Sequence, residues 1–140
     1  MCLDSLLTKE EFDTIALEEG YEYRIAYKVV DKIRDSDQTI YYRSPFFPDF
    51  RMVIGVWVGD TYSILANSDD DKAYEAGIHL FPDKDAAFAY SKWIRIGMVT
   101  CWPTVVKVKY ARPVAFGYQN GRLSIVAKEV KVLCEEEQDD

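Results

Sequence analysis

Apolar residues along this chain recur at two spacings, and the changes between them mark out the elements. Tyr21, Tyr23, Ile25, Tyr27 and Val29 alternate with Glu22, Arg24, Ala26, Lys28 and Val30. That alternation predicts a strand with one core face and a second face that stays polar as far as Val30. Residues 34–38 form a polar turn, after which 39–43 is expected to hairpin back. Residues 51–58 read as a buried strand, Gly59-Asp60 as a turn, and 61–65 as a returning strand. Val106, Val108 and Tyr110 alternate with Val105, Lys107 and Lys109 in a strand that Ala111-Arg112-Pro113 should end. Residues 114–118 and 122–127 flank Gln119-Asn120-Gly121, and Asn-Gly is a strong hairpin signal because both residues tolerate positive φ. A short strand over 130–133 completes the sheet.

Two segments take a helical period instead. Thr8-Lys9-Glu10-Glu11 has the capping-box pattern and opens a helix over 9–19 that ends at Gly20. In the stretch from Gly77 to Gly97, a short apolar strand, Ile78-His79-Leu80-Phe81, runs into Pro82 and then Asp83, a suitable N-terminal cap. The helix predicted over 83–96 carries a stripe of Ala86, Ala89, Tyr90 and Trp93, expected to be buried against the sheet. Phe88 falls on the charged face with Lys84, Lys92 and Arg95. The fold class is therefore α+β, a mostly antiparallel sheet with one main helix packed on it and a short N-terminal helix.

At 140 residues the chain fits one domain. Its charge of −7 is concentrated at the end, where five of the 24 acids occupy the last six positions, leaving 19 against 17 bases in residues 1–134. The domain is assigned to 1–134, and 135–140 to a disordered acidic tail. The nearly neutral body disfavours non-specific nucleic-acid binding. Cys2, Cys101 and Cys134 share no metal-ligand spacing and read as reduced thiols. The N-terminus has no signal-like apolar region and no stretch nears the roughly 18 apolar residues of a membrane span, which points to a cytoplasmic protein off the membrane.

Chemistry-bearing motifs are sparse. Asp69-Asp70-Asp71 lacks the glycine and distal glutamate of a calcium loop, so no metal is expected. The glycines form no phosphate-binding loop and no cofactor is implied. His79 is the single histidine, and with no partner at a diagnostic spacing it reads as a hydrogen-bonded core or sheet-face residue rather than a catalytic base. Phe46, Phe47 and Phe50, in a proline-bounded loop, are expected to plug one end of the core. Phe88 ringed by Lys84, Lys92 and Arg95 has the composition of a binding anchor, unless the Phe46-Phe47-Phe50 loop or Leu3, Leu6 and Leu7 fold over it. Lys107, Lys109, Arg112, Arg122, Lys128 and Lys131, set against Glu129 alone, offer a basic face for phosphates or an acidic protein, or simply solvated strand edges.

Tyr27-Lys28-Val29-Val30, Tyr41-Tyr42-Arg43-Ser44-Pro45, Gly77-Ile78-His79-Leu80-Phe81 and Val105-Val106-Lys107-Val108 together resemble a loose group of small uncharacterised domains of phages and large DNA viruses. That resemblance spans residues 21–133 and implies a viral protein in the host cytoplasm, with no activity to carry over. By fold analogy, domains of this size also include ADP-ribosyltransferase-like enzymes, for which Arg24, Tyr41, His79 and Glu129 would be the catalytic candidates. The expectation is a non-enzymatic protein-interaction domain with a protein partner or self-association. The alternatives are a nucleotide-binding enzyme of that type and a nucleic-acid-binding module using the 107–131 face.

Overall fold

The computed structural model describes residues 3–44, 51–59, 65–97 and 103–138, the side chains of 95–97 excepted. The Phe46-Phe47-Phe50 loop, residues 61–64 of the expected returning strand, Cys2, Cys101 and the last two residues of the acidic tail lie outside these residues. The architecture is the expected α+β fold. Strand β1 (Ser5–Leu7) precedes α1 (Lys9–Glu19), followed by β2 (Ile25–Arg34), β3 (Ile40–Arg43), β4 (Arg51–Met52), β5 (Trp57–Gly59), β6 (Leu65–Asn67), β7 (Ala73–Glu75) and β8 (Ile78–Leu80). Helix α2 (Lys84–Gly97) then leads to the long strands β9 (Pro103–Gln119) and β10 (Arg122–Glu135).

The β9–β10 hairpin is the frame. Its two-residue turn puts Asn120 at φ 51° and Gly121 at φ 74°, as the sequence predicts. The break expected at Ala111-Arg112-Pro113 is not one. β9 continues through it as a bulge, with Val126 opposite Ala115, Ala127 opposite Pro113, and Arg112 at φ 53°. Pro113 has no N–H for the ladder, and a bulge is where a strand tolerates that loss. For the same reason, the separate strand expected at 130–133 is the second half of β10.

All described ladders are antiparallel. β2 pairs with the first half of β9 and β1 with its end, while β8 and β5 pair in turn with β10. Beyond β8, Phe81 exchanges backbone hydrogen bonds of 2.7 and 2.8 Å with Tyr27 of β2. The hydrogen bonding therefore runs β2–β9–β10–β8 and back to β2, so the sheet closes on itself. Ala26, Val30, Val106, Val108, Ile125 and Val130 fill the enclosed space. Helix α1 covers one end, where Phe12 stacks on Phe116 with centroids 4.4 Å apart. Its capping box is formed as expected, with Glu11 N–H donating to Thr8 Oγ1 at 3.1 Å and Thr8 N–H to Glu11 Oε1 at 3.0 Å. At Gly117 a Cβ would collide with the Ser5 carbonyl oxygen, so β1 can lie alongside β9 only because that position is glycine.

The face of β2 expected to be polar is the inner one. Ala26 and Val30 belong to the interior and Lys28 lies between them on the same side, whereas Tyr27 and Val29 meet α2. With both faces covered, alternation in β2 separates two buried environments rather than core from water. Helix α2 lies outside the closed sheet over Val29, Phe81 and Val105, and Asp83 Oδ1 accepts from Asp85 N–H at its start. Its buried positions are Ala86, Ala87, Tyr90, Ser91 and Ile94, so the contact stripe is rotated from the expected one. Trp93, expected in the core, is 60% exposed and stacks on Tyr90 from outside.

The acidic tail starts differently from expectation. Glu135 is still in β10, opposite Val106, and Glu136 N–H donates to the Val105 carbonyl at 2.8 Å. Glu135 takes an ion pair from Lys32 at 2.9 Å and a hydrogen bond from the Tyr42 hydroxyl at 2.8 Å, while Lys84 reaches Glu136 at 3.4 Å. Cations at the end of the closed sheet thus order the first two acids of a segment whose composition alone reads as disordered.

Candidate functional site

Two surface features combine chemistry with incomplete packing. The first is the connector from Gly20 to Ile25. Gly20 caps α1 in the left-handed conformation, and the chain then turns back under the helix, held by hydrogen bonds from Ile25 N–H to the Glu22 carbonyl (3.3 Å) and from Tyr110 N–H to the Arg24 carbonyl (2.9 Å). That turn places Arg24 at φ 60°, a left-handed conformation that a long side chain adopts at a cost of roughly 1–3 kcal/mol. The guanidinium is flanked by the rings of Tyr23 and Tyr110, at 5.2 and 5.6 Å from their centroids. Its Nη1 is buried with no hydrogen-bond partner among the described residues, a further penalty of about 1–3 kcal/mol. Phe12, Leu17, Tyr21, Tyr23, Pro82 and Tyr110 wall the adjacent cleft of about 220 Å³, and Leu17 and Tyr23 at its rim are 85% and 83% exposed.

The second feature is the turn joining β4 to β5, which the sequence presents as one buried strand. Gly55, at φ 83°, donates its N–H to the Val132 carbonyl at 2.8 Å, tying the turn to β10. Four apolar side chains are left about half exposed: Val53 (44%), Ile54 (49%), Val56 (51%) and Trp57 (44%). Trp57, Lys131, Lys109 and Ile25 sit opposite one another across β5, β10, β9 and β2. Lys131 Nζ lies 5.3 Å from the Trp57 ring centroid, and neither Lys109 nor Lys131 has a carboxylate partner among the described residues. Like charges directly opposite on neighbouring strands repel, so this row carries uncompensated positive charge beside exposed apolar surface.

The other residues singled out from the sequence are dispersed. Phe88 is half-buried against the cluster under α2, so the anchor expected there is partly core, and the exposed aromatic of that helix is Trp93. Lys84 is engaged by Glu136 and Lys92 is exposed, while the Arg95 side chain lies outside those described. Half of the basic face over 107–131 is paired with carboxylates. Lys107 is 3.9 Å from Glu22, Arg112 is 3.7 Å from Glu129, and the buried Lys128 reaches Glu75 at 3.3 Å and the Ala76 carbonyl. Arg122 donates to the Asn120 carbonyl at 3.4 Å.

Arg24, Tyr41, His79 and Glu129 are not brought together by any hydrogen bond, ion pair or ring contact among the described residues. Tyr41 lies beneath Arg51, with the guanidinium 4.7 Å from its centroid, and Glu129 faces Arg112. His79 points away from the interior and shares a 3.1 Å hydrogen bond between Nδ1 and Gln119 Oε1. Burial pushes its pKa down to about 4, against the raising effect of Gln119, and the Lys28 charge lowers it further. Lys28 is fully enclosed, makes a 3.4 Å hydrogen bond to the His79 carbonyl and has its pKa pushed down to about 8 by burial. Neither residue lines a described cleft.

Sequence reasoning missed the apolar turn because a continuous run such as Met52-Val53-Ile54-Gly55-Val56-Trp57-Val58 reads alike as buried strand and exposed turn. Gly55 was the one available signal. Among the described residues no group of three or more His, Cys, Asp and Glu is placed to hold a metal, and no helix is long and apolar enough to cross a membrane. Compared with known proteins, the chain matches no family model, no curated protein and no solved structure.

Proposed function

We propose that the chain is a non-enzymatic interaction domain that binds a segment of another protein in which apolar and acidic residues alternate. The observation that carries this reading is the half-exposed cluster of Val53, Ile54, Val56 and Trp57 on one pinned turn. Contiguous apolar surface rimmed by charge is the composition of a binding site, and a tryptophan at its edge is the side chain most enriched at energetic centres of interfaces. The facing pair Lys109 and Lys131 sets the sign of the partner, because carboxylates placed over them relieve their repulsion. Phosphates would be drawn to the same two lysines, but Lys107, Arg112 and Lys128 are already committed to carboxylates, which leaves too little positive surface for a nucleic-acid track.

The test is peptide display selected on the intact protein, followed by binding measured on Val56→Asp and on Lys131→Glu. Selected peptides should combine apolar residues with Asp or Glu, and each substitution should weaken them at least ten-fold while the melting midpoint stays within a few degrees. Peptides indifferent to both substitutions would refute the assignment, and concentration-dependent dimerisation abolished by Val56→Asp would make a second copy the partner.

A further inference from the structure

The cleft under α1 invites a different and smaller ligand. We propose that it binds a carboxylate carried on a flat apolar body, with Arg24 as the anion-binding residue and Tyr23 as a movable cover. Arg24 is the cation among the described residues that line the cleft, and its Nη1 is buried without a hydrogen-bond partner among the described residues. A guanidinium presents donors in a planar fork that matches a carboxylate, so a buried unpaired Nη1 specifies both charge and shape for an incoming group.

The two acids of the cleft do not oppose this. Asp13 pairs with Lys9 at 3.3 Å and Glu22 with Lys107 at 3.9 Å, both cations lying outside the cleft lining, and both carboxylates are exposed to screening by water. The walls specify the rest of the ligand. Phe12, Tyr21 and Tyr110 present ring surface, and the volume of about 220 Å³ is that of a compact group. The Tyr110 ring stays fixed, being buried beside Arg24, whereas Tyr23 is 83% exposed. An exposed side chain changes rotamer on a picosecond to nanosecond timescale, so Tyr23 can leave the guanidinium and a planar ligand can take its place. The left-handed backbone at Arg24 is consistent with such a role, since strain of this kind gathers where a side chain must be aimed.

The experiment is a titration of the ¹⁵N-labelled full chain with phenylacetate, followed by amide shifts, with phenylacetamide and inorganic phosphate as controls. Phenylacetate should perturb Phe12, Leu17, Tyr21 and Tyr110 selectively, with phenylacetamide at least ten-fold weaker and phosphate weaker still. Arg24→Gln should abolish the effect, and Tyr23→Ala should bind at least as tightly as the parent. Equal binding of acid and amide by the parent protein would overturn the anion assignment even if Arg24→Gln failed to fold. Equal binding of phosphate would overturn the flat body, weaker binding by Tyr23→Ala would overturn the cover, and no shifts at tens of millimolar phenylacetate would overturn the site. Val56→Asp lies on the other surface and should leave this titration unchanged, so failure of either reading is separable from failure of the other.

Discussion

Replacing Lys28 with methionine should make the protein more stable, although it removes a hydrogen bond. Lys28 shares the enclosed side of β2 with Ala26 and Val30, is 6% exposed, and among the described residues has a single polar contact, at 3.4 Å, with the His79 carbonyl. No carboxylate faces it among the described residues, and burial pushes its pKa from 10.5 to about 8. At about 1.4 kcal/mol per pKa unit, keeping the ammonium protonated in that space costs roughly 3 kcal/mol at neutral pH. Methionine has a similar length and no charge, and losing a donor to the His79 carbonyl returns about 1 kcal/mol of that gain. A net stabilisation of roughly 1–3 kcal/mol is expected in urea melts at pH 7.

The pH dependence gives a sharper test. The folded pKa lies below the unfolded one, so between about 8 and 10.5 the unfolded chain binds more protons and the Lys28 protein gains stability as pH rises. The advantage of Lys28→Met should therefore be full below pH 8 and shrink towards pH 10.5. Taking the difference between the two proteins cancels tyrosine titration, which both share. A Lys28→Met protein that is less stable by more than 1 kcal/mol, or a difference constant from pH 7 to 10, would refute the reasoning.

Two further outcomes follow from the same structure. His79, held near 4 by burial from an ordinary 6.5, contributes stability above pH 6.5 that is lost as pH falls towards 4, so His79→Gln should remove up to about 3 kcal/mol of acid sensitivity across that window in parallel melts; matching acid limbs would show that the histidine is accessible to water. Ending the chain at Cys134 should lower stability by about 1–3 kcal/mol, because it removes the contacts of Glu135 with Lys32 and Tyr42 and the Glu136 N–H to Val105 bond; an unchanged denaturation midpoint would mean that these contacts add nothing in solution.

Legibility in the sequence follows whether a local pattern has one physical solution. The α1 capping box and the Asn120-Gly121 turn were readable because each is settled by a few neighbouring residues. The inward side of β2 was not, since alternation cannot say which face meets α2 and which the interior. Nor was the orientation of α2, where Ala86, Ala87, Tyr90 and Ile94 form a second, equally apolar stripe beside the one containing Trp93. Arg24 could be picked out in the sequence but not explained there. What sets it apart is a positive φ and a buried nitrogen unpaired among the described residues, in a turn pinned by backbone bonds to Glu22 and from Tyr110. The fold class depends on period and was legible, whereas the two surface features depend on long-range contacts.

That the β9–β10 hairpin follows in sequence every strand it pairs with has a consequence for synthesis. β1, β2, β5 and β8 all draw ladder partners from residues 103–135, so each is synthesised before the strand it pairs with. Among the described ladders, β2 with β3, β3 with β4 and β6 with β7 can pair earlier. The latch between Tyr27 and Phe81 is of no use until β10 has positioned β8. The growing chain must therefore carry unsatisfied strand edges until residues 103–135 are available, and then close in a step that starts with the local hairpin and gathers the earlier strands onto it. A ribosome-tethered chain stopped at residue 102 should stay open to protease, and full protection should arrive only once Glu135 has cleared the exit tunnel.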